Sequence, residues 1–262
     1  MDTSLILHTV LGLLLLLIPA GALYLLEAKV PNKQGGSDAL RKFGVAVARM
    51  IVQLLVLCLI VWALIRVDSP WLLVVCVVAL AGVSAWLVSK RCKLTSGMQM
   101  TAVGIGLLVG VLLVGLWLLG LVFPVKIFDA RWFVPVMALL MGHSTSMMIR
   151  GLNAFLSALK TDEQQYEFLR GNGLSHFKAL MPFLRRSLLA VISPTTANIS
   201  VLGLASMPLL LGGIFLGGMS PINAFLVMLQ MTVGCISASV LSLVVAIWLA
   251  DRQLFDKFGK LK

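Results

Sequence analysis

Lys160-Thr161-Asp162-Glu163-Gln164-Gln165-Tyr166-Glu167-Phe168-Leu169-Arg170-Gly171-Asn172-Gly173-Leu174-Ser175, running on through Pro182 to Arg185-Arg186-Ser187, is the long polar stretch of an otherwise apolar chain. Asp162 and Glu163 stand where the positive end of a helix dipole favours acids. Tyr166, Phe168 and Leu169, then Phe177, Leu180 and Met181, recur at roughly helical spacing. Gly171 and Gly173 break the pattern, as a turn between two short helices would. The stretch is predicted to be a helix–turn–helix at a membrane face, offering apolar side chains to a soluble partner.

The surrounding sequence supplies the membrane. Hydrophobic residues make up 60% of the 262 and charged residues 12%, against about 25% charged in a soluble domain. Apolar runs near 20 residues recur, so the fold class is an all-α polytopic membrane protein. Seven spans are expected in a single domain, residues 1–262: about 4–26, 43–65, 71–89, 98–123, 132–158, 188–207 and 222–250, with 160–187 between the fifth and sixth. The N-terminus lacks the basic region of a signal peptide, so its apolar run is read as a permanent helix. The 32 residues from Leu188 to Met219 would make a helix of about 48 Å, against a hydrocarbon core of about 30 Å. Pro194 and Pro208 are the expected hinges. The helix should break at Pro208, leaving 208–221 as a segment that does not cross.

Basic residues orient the bundle. With the N-terminus outside and the C-terminus inside, the inner segments hold 17 Lys and Arg and the outer turns only Arg66, Lys126 and Arg131, with Arg49 inside the second span. That sorting is the positive-inside pattern. It accounts for the net charge of +11 without a nucleic-acid partner.

Little in the chain supports catalysis, and no catalytic residue is expected. No phosphate-binding glycine loop followed by Lys-Ser/Thr is present, so the chain should not hydrolyse nucleotide itself. His8, His143 and His176 are far apart in sequence and no acid lies deep in a span, which leaves no evident metal site or proton relay. Cys58, Cys76 and Cys235 lie in apolar runs as packing residues, and Cys92 falls in a basic loop. The substrate-path candidates are Arg49, Gln53, His143, Ser144, Thr195, Thr196, Asn198 and Ser200. Arg49 and Gln53 share one helix face, to anchor at the interface or to meet a partner carbonyl or anionic substrate. Gly142-His143-Ser144-Thr145-Ser146 and Ser193-Pro194-Thr195-Thr196-Ala197-Asn198-Ile199-Ser200 are polar runs within spans. Their hydroxyls either bond to helix backbone or line a path. Gly104, Gly106, Gly110 and Gly115 give the fourth span a small-residue face for helix packing or a dimer seam. Met137, Met141, Met147, Met148, Met228 and Met231 read as gap-fillers rather than soft-metal ligands.

Glu167-Phe168-Leu169-Arg170-Gly171-Asn172-Gly173 resembles the Glu-Ala-Ala…Gly coupling loop of ATP-binding-cassette permeases, with the acid and the glycine keeping their six-residue offset. The wider chain, from about Glu27 to the tail, resembles the FetB-type permease family, which includes a bacterial iron-export permease and plant relatives tied to aluminium tolerance. Ala48-Arg49-Met50-Ile51-Val52-Gln53-Leu54 is similar to its Gly-Arg-Ala-x-x-Gln-Leu motif, Gly203-Leu204-Ala205-Ser206-Met207-Pro208 to its Gly-Leu-Val-Ser-Leu-Pro-Gly motif, and Ser220-Pro221-Ile222-Asn223-Ala224 to its Asp-Pro-x-x-Ala motif. The resemblance implies the permease subunit of an exporter in a bacterial inner membrane, dimeric and bound to two copies of a separate ATPase that holds ATP and Mg²⁺, with no cofactor on this chain. Glu167, Leu169, Arg170, Gly171, Gly173 and Phe177 would then contact that ATPase. The cargo implied is a metal ion such as iron, yet Ala197 replaces the family's acid, Ser200 its lysine, Leu209 its glycine after Pro208, and His143 stands in place of Asn. The rival classes are a secondary transporter of a small solute, a membrane-embedded lipid enzyme, and a scaffold that recruits a partner through 160–187.

Overall fold

The computed structural model of the chain describes residues 14–15, 18–21, 36–67, 69–94, 97–123, 128–200, 213–214 and 217–254. Among these residues there are helices and turns but no strand. Two compact units are present, Met1–Ala63 and Leu64–Lys262.

The first unit contains most of helix α1 (Gly36–Val67). This helix begins seven residues before the expected Phe43, taking in Ser37-Asp38-Ala39-Leu40-Arg41-Lys42. After Pro31 and the glycine pair, that stretch contains no further breaker and several good helix formers, so polar composition alone did not end the helix.

The second unit consists of α2 (Pro70–Cys92), α3 (Gly97–Trp117) continued by a π-helical turn (Leu118–Val122), α4 (Ala130–Thr161), α5 (Glu163–Gly171), α6 (His176–Ser200) and α7 (Pro221–Leu254). Local chemistry sets several of these ends. Pro70 opens α2, where its missing N–H costs nothing. The Ser89 carbonyl accepts from Lys93 and Leu94 at its far end, with Lys93 in the left-handed region at φ 53°. Cys92 is therefore the buried last residue of α2, its thiol 3.7 Å from the Ile149 carbonyl, and not a loop residue as expected. The Asp129 carboxylate accepts from the Arg131 N–H at 3.0 Å and caps α4.

Helix α4 is the centre of this unit, in contact with α2, α3, α6 and α7. Phe133, Met137, Leu140, Met148, Phe155 and Leu159 on it are fully buried. Met137, Met141, Met147 and Met148 are all core residues, as the gap-filling reading expects. Helix α7 lies closely along α3. A Cβ on Gly106 would sit 2.7 Å from Ala246 Cβ, and one on Gly110 would meet the Ser242 hydroxyl and the Ala238 carbonyl. Gly106 and Gly110 are thus used inside the chain, against α7, while Gly115 faces Met137 on α4 and Gly104 faces Ala85 on α2. Lipid gives no hydrophobic drive for helices to associate, so close backbone approach supplies the adhesion.

Five helices among the described residues are long and apolar enough to cross a membrane: Arg41–Leu64, Pro70–Cys92, Gly97–Val122, Ala130–Thr161 and Pro221–Asp251. They match the second, third, fourth, fifth and seventh expected spans. The first expected span lies largely outside the described residues, as do 201–207 of the sixth, the Pro208 hinge and half of 208–221.

The sixth span departs from expectation. Its helix does not begin near Leu188 after a separate short helix; α6 runs unbroken from His176 to Ser200 through Pro182 and Pro194. An interior proline costs roughly 3 kcal/mol. Packing holds α6 together: Ala179, Leu180, Phe183, Val191 and Thr195 are buried, and the Ser187 hydroxyl donates to the Gly151 carbonyl at 2.8 Å. Pro194 lies inside a continuous helix and not at a break.

Candidate functional site

The polar stretch forms a hairpin on the end of α4. Asp162 alone separates α4 from α5: its N–H donates to the Ala158 carbonyl, and its own carbonyl accepts from Gln165 and Tyr166. Its carboxylate does not cap α5 but pairs with Arg186, bracing the hairpin against α6. Such a partly exposed pair contributes about 0–1 kcal/mol. At the other end of α5, Gly173 N–H donates to the Arg170 carbonyl at 3.0 Å and Leu174 N–H to the Leu169 carbonyl at 3.3 Å. These are the two bonds of a Schellman cap, and Gly173 takes the left-handed φ of 78° that the cap requires.

This geometry sorts the hairpin's side chains. Glu167, Arg170, Gly171 and Gly173 are exposed and Leu169 is half-buried. Phe168 is 68% exposed and Phe177 56%, apolar surface carried on a polar helical turn. Arg170 Nη1 donates to the Leu174 carbonyl at 3.4 Å.

Tyr166 points the other way, only 2% exposed. Its hydroxyl lies 2.8 Å from His176 Nδ1, and His176 Nε2 lies 2.8 and 3.0 Å from the two carboxylate oxygens of Asp251. The Tyr166 and His176 rings meet edge to face, with centroids 6.0 Å apart. With Asp251 ionised, Nε2–H donates to the carboxylate and Nδ1 accepts the phenol proton. Burial pushes the Tyr166 phenol above its usual range; Arg170 opposes the shift and Asp251 adds to it. Tyr166 therefore keeps the proton it donates. Beside Asp251 a groove of about 400 Å³ opens between α6 and α7, lined by Phe177, Leu180, Val244 and Trp248 among others.

A second polar group lies at membrane depth, where α4, α6 and α7 meet. His143 Nδ1 is 2.9 Å from Ser239 Oγ, Ser144 Oγ is 3.4 Å from the same oxygen, and Ser239 itself donates to the Cys235 carbonyl at 2.7 Å. With that hydroxyl proton committed to Cys235, His143 Nδ1 is the donor and Nε2 carries the lone pair. A cavity of about 60 Å³ is lined by His143, Thr195, Thr196, Ile199 and Ser239 with neighbouring apolar residues. The structure thus brings His143, Ser144, Thr195 and Thr196 together.

The hydroxyls of the run after Pro194 are largely self-satisfied. Thr195 donates to the Val191 carbonyl at 2.6 Å, Thr196 to Ile192 at 2.9 Å and Ser200 to Thr196 at 3.0 Å, each four residues back. Asn198 and Ser200 are exposed on α6 and do not line the cavity. Arg49 and Gln53 are exposed on α1 in the first unit, where Arg49 borders a concavity of about 420 Å³ with Arg41, Lys42, Val45 and Ala46. No group of three or more His, Cys, Asp and Glu side chains able to hold a metal ion occurs among the described residues.

The Tyr166–His176–Asp251 chain and the role of Ser239 have no counterpart in the expectations from sequence. Tyr166 and His176 are ten residues apart, but Asp251 is a further 75 along. No local spacing announces such a partnership. Asp251 followed by Arg252 near the end of an apolar run reads as an interfacial pair, and Ser239 reads as one small residue among many.

The family described as "Uncharacterised protein family (UPF0014)" matches residues 14–255. The chain is 23% identical over 214 residues to the "Probable iron export permease protein FetB" of Escherichia coli (strain K12), covering 80% of each chain. It is 24% identical over 218 residues to the "UPF0014 membrane protein YjkA" of Bacillus subtilis (strain 168), covering 83% of this chain and 86% of that one. It is 25% identical over 144 residues to "Protein ALUMINUM SENSITIVE 3" of Arabidopsis thaliana, covering 54% of this chain and 50% of the relative. No solved structure matches.

Proposed function

Because the chain belongs to the UPF0014 family, matched over residues 14–255, we propose that it is the transmembrane permease subunit of an ATP-binding-cassette transporter in a bacterial inner membrane. The observation that carries this reading is the α5–α6 hairpin, which leaves Phe168 and Phe177 exposed beside charged Glu167 and Arg170. A separate ATPase subunit receives this surface, and two copies of each chain make the working transporter. ATP and Mg²⁺ belong to the ATPase. Seven spans, with the N-terminus outside, place the hairpin in the cytoplasm, in keeping with the basic residues around it. ATP-driven closure of the ATPase pair moves the hairpins and alternates access to the membrane-depth group around His143. Transport is outward and the cargo is a small ion, iron being the precedent from the Escherichia coli relative's name. His143 is the one nitrogen ligand lining this cavity, beside the hydroxyls of Thr195, Thr196 and Ser239, and position 197 is alanine.

The test is co-purification with a separately encoded ATPase. Gly173→Pro cannot adopt φ 78° and removes the N–H that bonds Arg170, so it dismantles the cap of α5. The variant should insert normally yet lose ATPase-driven transport. Undiminished transport by Gly173→Pro, or transport by the chain with no ATPase present, would favour a secondary carrier.

A further inference from the structure

Helix α5 packs against α4 and α6, its neighbours in the chain. Tyr166–His176–Asp251 carries the hairpin further, to the end of α7. The chain is well built for transmission. Tyr166 is buried under the hairpin, the His176 imidazole is two-thirds covered, and Asp251 is about four-fifths covered. A neutral imidazole has one donor and one acceptor, and here the donor meets a carboxylate and the acceptor a phenol. The bond to Asp251 is charge-assisted, the stronger kind. Helix α7 is in turn held against α3 at Gly106 and Gly110, where the backbones approach too closely to slide independently. It also carries Ser239, the partner of His143 at membrane depth.

We propose that His176 is a positioning residue that ties the α5 hairpin to the end of α7, so that the hairpin and α7 move together. Its functional meaning rests on the hairpin being the element that docks the ATPase. A push on Phe168 and Arg170 then travels through Tyr166 and His176 to Asp251 and along α7, a stiff helix, to the Ser239–His143 contact. The arrangement differs from a docking role: it predicts that breaking the link leaves the docking surface intact but disconnects it from the membrane interior.

Hydrogen exchange of the full chain in lipid nanodiscs reads the link without any ATPase. Asp251→Ala removes both acceptor oxygens, and the α5 amides of residues 163–171 should then exchange roughly tenfold faster or more. Asp251→Asn keeps one acceptor oxygen and should recover most of the protection. Tyr166→Phe on top of Asp251→Ala should add little, since both act through one imidazole. The amides of α3 and α4 should be unchanged in every variant. Wild-type exchange of α5 in Asp251→Ala overturns the proposal, and so does an equal rise in α3 and α4, which would mean general loosening. With the ATPase added, Asp251→Ala should bind it within about threefold of wild type while coupled transport falls about tenfold. Parallel loss of binding and transport also overturns it. Failure of the unaltered chain to bind any ATPase would instead sink the transporter reading, whatever the exchange data give for the link.

Discussion

Ser239 bonds to two helices at once, donating within α7 to Cys235 and meeting His143 from α4. Hydrogen bonds between membrane helices contribute about 1 kcal/mol. Ser239→Ala should therefore lower the unfolding free energy of the purified protein by about 1 kcal/mol in a denaturation series. Ser144→Ala should cost less, because its hydroxyl stands 3.4 Å from Ser239 against 2.9 Å for His143. Thr196→Ala and Ser200→Ala delete hydroxyls that bond only to their own helix, so stability should change by no more than a few tenths of a kcal/mol. Transport assays on the same variants then separate path from scaffold: a drop with Thr196→Ala at unchanged stability would place that residue on the cargo's route.

Helix α3 shows how an element is positioned by what it lacks. Gly110 faces the backbone N of Ser242 at 2.7 Å and the Ala238 carbonyl at 2.9 Å, counted from a Cβ it does not have. Gly110→Ala gains up to about 1 kcal/mol of helix propensity, but overpacking costs about 1–3 kcal/mol and backbone cannot swing aside. The net effect should be a lower melting temperature. Gly82→Ala on α2, where a Cβ meets nothing within 4 Å, should leave it unchanged or slightly raised. A fall of equal size in both would refute the close-packed α3–α7 contact. The α5 hairpin gives the complementary case, a glycine used for its φ. Gly173→Ala should raise the exchange rate of the last α5 amides, because an L residue pays about 1–2 kcal/mol in the left-handed region. This glycine was legible beforehand as a turn. The unbroken run of α6 was not, because propensity counts the prolines and tertiary packing against α4 outweighs them.

At the scale of the whole molecule, the prediction is one of sidedness. Glu167→Cys places a thiol on the exposed face of α5. In intact cells it should react with a membrane-impermeant maleimide no faster than the parent chain, and it should react readily once the membrane is opened. Labelling in intact cells would reverse the orientation inferred from the basic residues and remove the docking surface from the ATPase's side. The membrane class, the polar hairpin and the expected positions of the five apolar helices among the described residues could all be read from sequence, because each depends on local composition: an apolar run of sufficient length, a glycine, a cluster of charges. The glycine face of α3 was also visible, though not its partner. What Gly106 and Gly110 pack against, which hydroxyl answers His143, and that Asp251 anchors a hairpin 75 residues away were decided only by tertiary structure. Local composition determines which segments enter the bilayer, since the transfer free energy of a segment is nearly a sum over its own residues. Pairings between helices depend on which surfaces meet after insertion, and no sum over one helix's residues contains that information.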